Sequence, residues 1–339
     1  MVQPLPRRLH GARDVGRRYA SDANTHHQRY RIGVTSRFVA ALTIVRRLLL
    51  PAGAPGEVGT WTPTPGVPYA NDSYVLIDHG SYYASKDFYD LPHDRRINWG
   101  WATIAGGVQS MARTVTYHPV LKRLVFSPAE EYSQLHEEPP LAMQATATLR
   151  PGVSLSLGTW KPGIGNSSDV NVSFVIPTHP TTMFVTVMSG ALVITIDYTP
   201  GATEVNASIH DCTIHDQWDP RFCRLPQPLR ADQRSGTGGR PNLPTAALTL
   251  LPTDEELTVR IFTDRTLIEA YWMDGRIAMT YSVPCANKGE PESRCDQTAG
   301  EVTVGSTAGG TLSSAQAWAM KSIWVSKETV LATPRIDRQ

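Results

Sequence analysis

Two neighbouring stretches decide the fold of this chain: residues 78–90 read DHGSYYASKDFYD, and residues 95–102 read RRINWGWA. Both are rich in aromatic residues, which favour strands over helices. Residues 74–77, 108–117 and 121–127 predict further short strands close by. Four or five strands at this spacing predict one antiparallel sheet, the size of one propeller blade with an added edge.

The chain beyond this sheet predicts a second all-β unit. A short helix is expected at 128–135, and Pro139-Pro140 marks a boundary. Strands follow at 142–149, 153–157, 170–175, 182–187, 191–198, 246–250, 257–262 and 315–325. The clearest signal is a hairpin in which Asp274-Gly275 joins the runs 267–272 and 277–281. Seven or more short strands predict a β-sandwich for residues 140–326.

Charge is balanced overall but uneven along the chain. The 339 residues hold 32 Lys plus Arg and 31 Asp plus Glu, so no global field favours nucleic acid or an anionic membrane as partner. The first fifty residues contain only two acids, Asp14 and Asp22, and ten arginines, which are Arg7, Arg8, Arg13, Arg17, Arg18, Arg29, Arg31, Arg37, Arg46 and Arg47. This composition is typical of a transit peptide, a basic arm or a disordered leader. It would also result from translation in a shifted frame or from a wrong start.

A membrane-spanning segment is not expected. The apolar stretch 38–51 is interrupted by Arg46-Arg47 and is too short and too charged to span a bilayer. It could serve as a poor signal sequence or as one amphipathic helix.

Four cysteines form two close pairs in sequence, Cys212 with Cys223 and Cys285 with Cys295. Zinc ligation by the four thiolates is the alternative, but the spacings are wider than those of the usual zinc knuckles. Two local disulfides are therefore expected, and they indicate an oxidising compartment.

Four asparagines lie in acceptor sequences for N-glycosylation: Asn71, Asn166, Asn171 and Asn206. One such triplet arises easily by chance. Four of them beside paired cysteines predict a glycoprotein of the secretory pathway, although no clean signal peptide is visible.

Five motifs, in order and spacing, resemble glycoside hydrolase family 32, the β-fructofuranosidases and invertases. The first is the pair of YASK-type and WGWA-type strands quoted above. The others are GGVQSMAR at 106–113, PAEE at 128–131, the hairpin from VRIFTDRTLIEAY at 259–271 to GRIAMT at 275–280, and AWAMKS at 317–322. The similarity covers residues 72–326. It implies the closing blade of a five-bladed β-propeller followed by a C-terminal β-sandwich, within an all-β fold.

The family's catalytic carboxylates find no counterpart in this sequence. Retaining hydrolysis of a β-fructofuranosidic bond needs two carboxyl groups about 5 Å apart. In the family they lie in Asn-Asp-Pro-Asn and Glu-Cys motifs, with a stabilising Asp in Arg-Asp-Pro, all upstream of the matched strands. Here Asn71-Asp72 is followed by Ser73, and no Glu precedes a Cys. Asp219-Pro220 reads as a turn between two cysteines. No catalytic, metal-binding or cofactor-binding residue is therefore predicted.

The resemblance implies three candidates for sugar contacts: Tyr83, Ser85 and Trp101. Packing between blades is the competing interpretation for the aromatic pair, because aromatic side chains dominate protein cores. A second group, Asp264, Arg265 and Glu269, is interpreted as a surface ion pair and turn. Two departures from the family are a short loop after Trp101 and Ala112 in place of a proline, and the latter is expected to have little effect.

The expected organisation is a basic leader at 1–70, a partial blade with linker at 71–138, a β-sandwich at 139–327 and a tail at 328–339. The predicted function is that of a β-fructofuranosidase-like glycosidase acting on sucrose or fructans, truncated and inactive alone. The alternative is a non-catalytic sandwich that binds carbohydrate or stabilises a partner subunit. Open blade edges make self-association a further expectation.

Overall fold

The protein is seen here as a computed structural model. It describes residues 76–102, 107–160, 167–212, 221, 223, 244–265, 267–282, 300–323 and 326–333, together with the backbone of 42–43 and 62–63. The leader, apart from those two short segments, lies outside the described residues. So do Cys285, Cys295, Asn71, Asn166 and the Asp219-Pro220 turn. None of the helices in the described ranges is long and apolar enough to cross a membrane.

The described part of the chain is built almost entirely of strands. They are β1 (Leu42–Thr43), β2 (Thr62–Pro63), β3 (Tyr82–Asp90), β4 (Arg95–Ala102), β5 (Val108–Gln109), β6 (Arg113–His118), β7 (Arg123–Pro128), β8 (Ala142–Gln144), β9 (Ala147–Leu149), β10 (Leu155–Trp160), β11 (Ser167–Val175), β12 (Thr181–Val187), β13 (Leu192–Tyr198), β14 (Glu204–Asp211), β15 (Thr245–Thr249), β16 (Glu256–Asp264), β17 (Leu267–Trp272), β18 (Ile277–Ser282), β19 (Gly300–Ser306) and β20 (Gly310–Ala319). Short 3-10 helices span Leu91–His93, Glu130–Leu135 and Met188–Gly190, and α1 spans Lys327–Ala332.

The first sheet is the predicted blade. Its order is β3-β4-β6-β7, with β5 paired to β4, and the pairings are antiparallel. The aromatic stretches quoted at the outset form β3 and β4, whose register places Tyr83 opposite Trp101. The sheet buries Tyr82, Val115 and Phe126, so the blade has an inner side that packs against the rest of the protein.

Two further sheets form the sandwich. One has the order β10-β19-β12-β13-β14-β15, and the other runs β18-β17-β16-β11-β20-β8, with β9 paired to β20. Their inner faces meet in one apolar core that includes Val185 and Ile194 from the first sheet and Val172 and Ile261 from the second. These side chains are almost completely buried. Burial of this kind stabilises the fold by roughly 1.5–3 kcal/mol per large aliphatic side chain.

The blade covers part of the outer face of the seven-stranded sheet. Phe262, Tyr271 and Ala278 project from that face and form a small apolar cluster, against which Met111 and Tyr132 pack from the blade side. The backbone N–H of Phe126 in β7 donates to the carbonyl of Gly275 at 3.1 Å. The seven-stranded sheet is thus covered on both sides over part of its width, and this explains why β17 is buried along its whole length.

The predicted fourth blade strand, residues 108–117, is broken into β5 and β6. The break has a physical cause, because two backbone N–H groups there bond outside the sheet. Met111 donates to the Glu269 carboxylate at 2.6 Å and Ala112 to the Tyr132 hydroxyl at 2.6 Å. The predicted strand at 74–77 is not formed at residues 76 and 77, and the last strand ends at Ala319 instead of reaching residue 325.

Candidate functional site

An open pocket of about 540 Å³ lies on the exposed face of the blade, where β3, β4 and β5 meet. It is lined by Ala84, Lys86, Trp99, Gly100, Trp101, Gly107, Val108 and Gln109. The pocket therefore combines two indole rings with one ammonium group and one amide. This composition suits a sugar ring, because an indole can stack on its apolar face and polar groups can bond its hydroxyls.

Trp101 forms part of the pocket wall. Its side chain is 48% exposed, although an aromatic residue of this size is usually well buried. The Tyr83 ring meets it edge to face, with the ring centroids 5.9 Å apart. Gly107 has φ +67°, and a Cβ atom there would overlap the Trp101 Nε1 atom. A side chain at residue 107 would therefore displace the indole, and the positive φ there favours glycine.

The structure brings together two of the three predicted sugar contacts. Trp101 lines the pocket and Tyr83 touches Trp101, but Ser85 is not among the described lining residues. The register of β3 against β4 shifts between Tyr83 and Lys86, and Ala84 has φ +47°. This bulge places Lys86 at the pocket.

Three further lining residues, Lys86, Trp99 and Gln109, were not predicted from the sequence as sugar contacts. The pairing of Lys86 with Trp99 follows from the hairpin once the bulge in β3 is known. Gln109 reaches the pocket because β5 pairs with the end of β4, where it lies opposite Trp101.

Behind the pocket strand, the blade holds a buried tyrosine. The Tyr82 hydroxyl donates to the Asn98 side-chain oxygen at 2.6 Å, and burial raises the pKa of Tyr82 to about 12. The Arg113 guanidinium lies over the Tyr82 ring, 4.4 Å from its centroid. This cation–π contact connects the pocket strands to the centre of the interface with the sandwich.

Arg113 is the centre of a buried polar group that we call the junction cluster, formed by Asp78, Arg113, Glu269, Tyr271 and Thr280. The Arg113 Nη2 atom is 2.8 Å from the Asp78 carboxylate, 2.7 Å from the Glu269 carboxylate and 2.9 Å from the Thr280 hydroxyl. Its Nε donates to the Tyr271 hydroxyl at 3.0 Å, and that hydroxyl donates to Glu269 at 2.7 Å. Residues from the blade and the sandwich are thereby joined in one network.

The opposite charges in the junction cluster keep the Arg113 guanidinium ionised. Burial alone would lower the pKa of Arg113, but Tyr271 and the two carboxylates raise it well above its usual value, so the guanidinium stays charged. The Asp78 side chain also accepts the backbone N–H groups of Gly80 at 2.7 Å and Thr280 at 2.9 Å. A buried carboxylate with this many donors is satisfied without water.

The interpretation of Asp264, Arg265 and Glu269 as one surface group is wrong. Asp264 and Arg265 are exposed at the turn after β16, whereas Glu269 is 1% exposed and bonds Arg113. The cause is the covering blade, which turns the outer face of this hairpin into an interior.

Ala112 has a structural role that a proline could not fill. Its backbone N–H donates to the Tyr132 hydroxyl, which ties the 3-10 helix of the linker to the blade. Proline has no N–H to donate. The departure from the family pattern at this position therefore accompanies a specific hydrogen bond.

The pocket holds no pair of carboxyl groups for glycoside hydrolysis. Among the described residues that line it, none is Asp or Glu. Within the described ranges, no group of three or more His, Cys, Asp or Glu side chains could hold a metal ion. The described lining residues thus offer stacking surfaces, one ammonium group and one amide, and no carboxylate.

The described residues include one of the two predicted cysteine pairs and two of the four predicted glycosylation acceptors. Cys212 and Cys223 are joined by a disulfide with Cα atoms 5.4 Å apart, buried against Phe184 and Val193. Asn171 and Asn206 lie in β11 and β14, and both side chains are exposed.

Known proteins resemble this chain over part of its length. No protein-family model matches the chain. A β-fructofuranosidase of Oryza sativa subsp. indica, insoluble isoenzyme 2, is 30% identical over 123 residues, which are 33% of this chain and 20% of that protein. A fructan 6-exohydrolase of Beta vulgaris is 33% identical over 121 residues, 32% of this chain and 19% of the relative.

Solved structures show the same fold. Fructan 1-exohydrolase IIa from Cichorium intybus superposes with a TM-score of 0.58 at 17% identity, covering 77% of this chain and 52% of that one. Exo-inulinase from Aspergillus awamori gives a TM-score of 0.53 at 16% identity, covering 78% and 48%. The chain thus spans about half the length of these structures, and its alignments cover about a fifth of these two curated relatives.

The fold and the pocket define a class of protein, in which part of a β-propeller is joined to a β-sandwich and an aromatic pocket opens on the propeller side. The curated relatives and the structural neighbours are β-fructofuranosidases, invertases and fructan exohydrolases. The predicted resemblance to the C-terminal part of glycoside hydrolase family 32 is confirmed.

Proposed function

We propose that this chain is a β-fructofuranosidase-like protein that binds a sucrose- or fructan-type sugar and does not hydrolyse it alone. The observation that carries this proposal is the pocket at Trp99 and Trp101, which offers stacking surfaces and hydrogen-bonding groups but no described carboxylate. Because retaining hydrolysis requires two carboxyl groups at close range, binding without turnover is the expected behaviour.

Relatives of this chain have been solved with sugars bound. The fructan 1-exohydrolase of Cichorium intybus is described in complex with 1-kestose, at 18% identity and a TM-score of 0.53. This supports a sugar of the same class as the ligand here. Lys86 and Gln109 would donate hydrogen bonds to its hydroxyls, and the Trp101 indole would cover its apolar face.

Affinity electrophoresis in gels that contain inulin tests the binding step. The full chain should migrate more slowly in the presence of the fructan, and Trp101→Ala should abolish the retardation because the stacking surface is removed. Val120→Ala is the matched control, since Val120 is 67% exposed in the turn between β6 and β7, away from the pocket. Equal retardation of all three proteins, or none of the wild type, would refute a sugar site at Trp101.

A place in the secretory pathway is part of the proposal. The relatives include proteins named as insoluble isoenzymes and as an acid β-fructofuranosidase. A disulfide between Cys212 and Cys223 agrees with an oxidising compartment. Cell fractionation of the producing tissue, with an antibody against the chain, would reveal the protein among secreted or wall-bound proteins if this is right, and in the cytosol if it is not.

Self-association through the blade is the remaining proposal. The side chains of Phe88 and Trp101, in neighbouring strands of the blade, are 46% and 48% exposed. Exposed apolar surface on a sheet favours association. Analytical ultracentrifugation of the full chain at increasing concentration should show a dimer, and a monomer throughout would contradict this expectation.

A further inference from the structure

Asn171 occupies an unusual place for a glycosylation acceptor, because it lies in the middle of a central strand. It belongs to β11, which is paired on both sides, with Arg260 of β16 on one flank and Gln316 of β20 on the other. Its neighbours Val170 and Val172 point into the sandwich core and are fully buried. Asn171 therefore projects from the outer face of the seven-stranded sheet, the same face on which the blade lies.

The blade covers only part of that face. Asn171 begins a row of residues that lie side by side on neighbouring strands: Arg260 on β16, Tyr271 on β17 and Ala278 on β18. Tyr271 and Ala278 are buried beneath the blade, whereas Asn171 is exposed and the Arg260 side chain is 28% exposed. The edge of the blade thus passes over this row of residues, and Asn171 lies just outside it.

A groove of about 270 Å³ follows this edge, and we call it the margin groove. The blade contributes Ser127 and Pro128 to its wall, and the sandwich contributes Asn171, Thr258, Arg260 and Asp274, with Tyr271 also in contact. The acceptor asparagine is thus part of the groove, so a group attached to its side chain begins inside it.

The margin groove presents several polar side chains. Arg260 uses its Nε and Nη2 atoms to bind Asp169, at 3.0 and 2.6 Å. Its Nη1 has no hydrogen-bond partner in the part of the chain that the structure describes, so it can donate to a further ligand. The Thr258 hydroxyl and the Asp274 carboxylate supply acceptors. An N-acetylhexosamine, with hydroxyl groups and an acetamide, matches such a surface.

The second exposed acceptor provides a comparison. Asn206 lies in β14, paired with Asp197 and Ala247, on the six-stranded sheet. It does not line the margin groove. The two acceptor sequences have the same form, Asn-X-Ser, and both asparagines are exposed in strands. They differ in that Asn171 lines the margin groove and Asn206 does not.

We propose that Asn171 is N-glycosylated and that its first sugar lies in the margin groove, where it joins the blade to the sandwich. In the transfer, the Asn171 Nδ2 atom forms a bond to the anomeric carbon of a lipid diphosphate-linked oligosaccharide. The bond from that carbon to the diphosphate oxygen breaks, the lipid diphosphate leaves, and Nδ2 loses one proton. The proposal rests on the proposed passage through the secretory pathway.

The test uses the full chain directed into the secretory pathway of a yeast by a cleavable signal peptide, so that acceptor competence is judged independently of the natural location. Peptide mass mapping should find glycan on Asn171. When the native protein is treated with a peptide N-glycosidase, release from Asn171 should be markedly slower than release from Asn206, because the first sugar is held in the groove. An unmodified Asn171, or equal release from both sites, would overturn the proposal.

Stability supplies a second measurement. Asn171→Gln and Ser173→Ala each remove the acceptor sequence and should lower the melting temperature by several degrees, whereas Asn206→Gln should leave it unchanged. When the same variants are made in bacteria, which attach no such glycan, their melting temperatures should equal that of the bacterial wild type. A loss that persists in the bacterial proteins, or no loss in the yeast proteins, would contradict a glycan that bridges blade and sandwich.

Discussion

At the scale of single residues, the junction cluster places one guanidinium between two carboxylates in the interior. Arg113, Asp78 and Glu269 are each at most 3% exposed. Glu269 accepts from the Met111 backbone, the Arg113 side chain and the Tyr271 hydroxyl. Such a network is stable only when every member is present, because a buried charge left without its partner keeps its full desolvation cost.

Loss of the Glu269 carboxylate should therefore destabilise the folded protein strongly. Glu269→Ala is expected to lower the free energy of unfolding by about 3–5 kcal/mol, the usual cost of breaking a buried ion pair. Asp264→Asn is the matched control on the same hairpin and should change it by less than about 0.5 kcal/mol, since Asp264 is exposed. Urea denaturation of the three proteins measures the difference, and equal midpoints would show that Glu269 is not a buried partner of Arg113.

His79 predicts a pH dependence of stability. Burial lowers the pKa of His79 and Arg123 lowers it further, although Asp78 opposes both effects. In the unfolded chain the group titrates near its usual value of about 6.5. A base with a lowered pKa in the folded state binds fewer protons there than in the unfolded state. Its stabilising effect is thus complete above about pH 6.5 and is lost as the pH falls toward the lower folded value.

The measurement is the free energy of unfolding at about pH 7.5 and about pH 5.5, on either side of the usual histidine pKa, for the wild type and for His79→Gln. The wild type should lose more stability between these values than the variant, because glutamine takes up no proton. Parallel losses in the two proteins would show that His79 does not contribute to the acid sensitivity.

At the scale of elements, the β17–β18 hairpin shows why a local signal can be decisive. The Asp274-Gly275 turn was predicted from sequence, and both residues have left-handed backbone angles, with φ +54° and +85°. The hairpin tip also touches β7, since a Cβ atom on residue 275 would overlap the Phe126 carbonyl oxygen. One glycine thus serves both the turn and the close approach of the blade.

Comparing Gly275→Ala with Gly201→Ala separates the cost of the positive φ from the cost of the contact with β7. Gly201 has φ +77°, and no atom lies within 4 Å of the position that an added methyl group would take. Alanine there should cost about 1–2 kcal/mol from backbone strain alone. At residue 275 the methyl group should add about 1–3 kcal/mol for the steric overlap. Thermal denaturation compares the two variants, and equal losses of stability would argue against the contact between hairpin and blade.

Other elements could not be predicted because their signals are weak. The strand β14 (Glu204–Asp211) buries Val205, Ala207 and Ile209 in alternation, but its small and polar residues resemble a loop. The strand β19 (Gly300–Ser306) is similar, with glycine at its first position. Both lie in the six-stranded sheet and are held by pairing with neighbours distant in sequence, which local patterns do not reveal.

At the scale of the whole molecule, the sequence predicts the blade, the sandwich and Trp101 at the pocket, because each depends on motifs within one or two strands. The junction cluster was not predicted, since Arg113 and Glu269 are separated by 156 residues. The assignment of Glu269 to the surface failed for the same reason: burial of the outer sheet face depends on where the blade docks. The predicted domain limits remain predictions.

The relation between fold and activity also belongs to this scale. The chain has the fold of about half of a fructan exohydrolase, and its 339 residues include no Asn-Asp-Pro or Glu-Cys sequence. Under the proposed function, the pocket at Trp101 stacks and bonds a sugar without turnover, because retaining hydrolysis requires two carboxyl groups at close range.

The most direct test is an assay of fructose release from sucrose by the purified 339-residue protein, with the Oryza sativa β-fructofuranosidase as the positive control. We expect no release above the level of a heat-treated sample, while inulin still retards the native chain in gels. Fructose release by the native protein that is lost on heating would contradict a binding protein without turnover, because a complete set of catalytic groups would then have to exist within these residues.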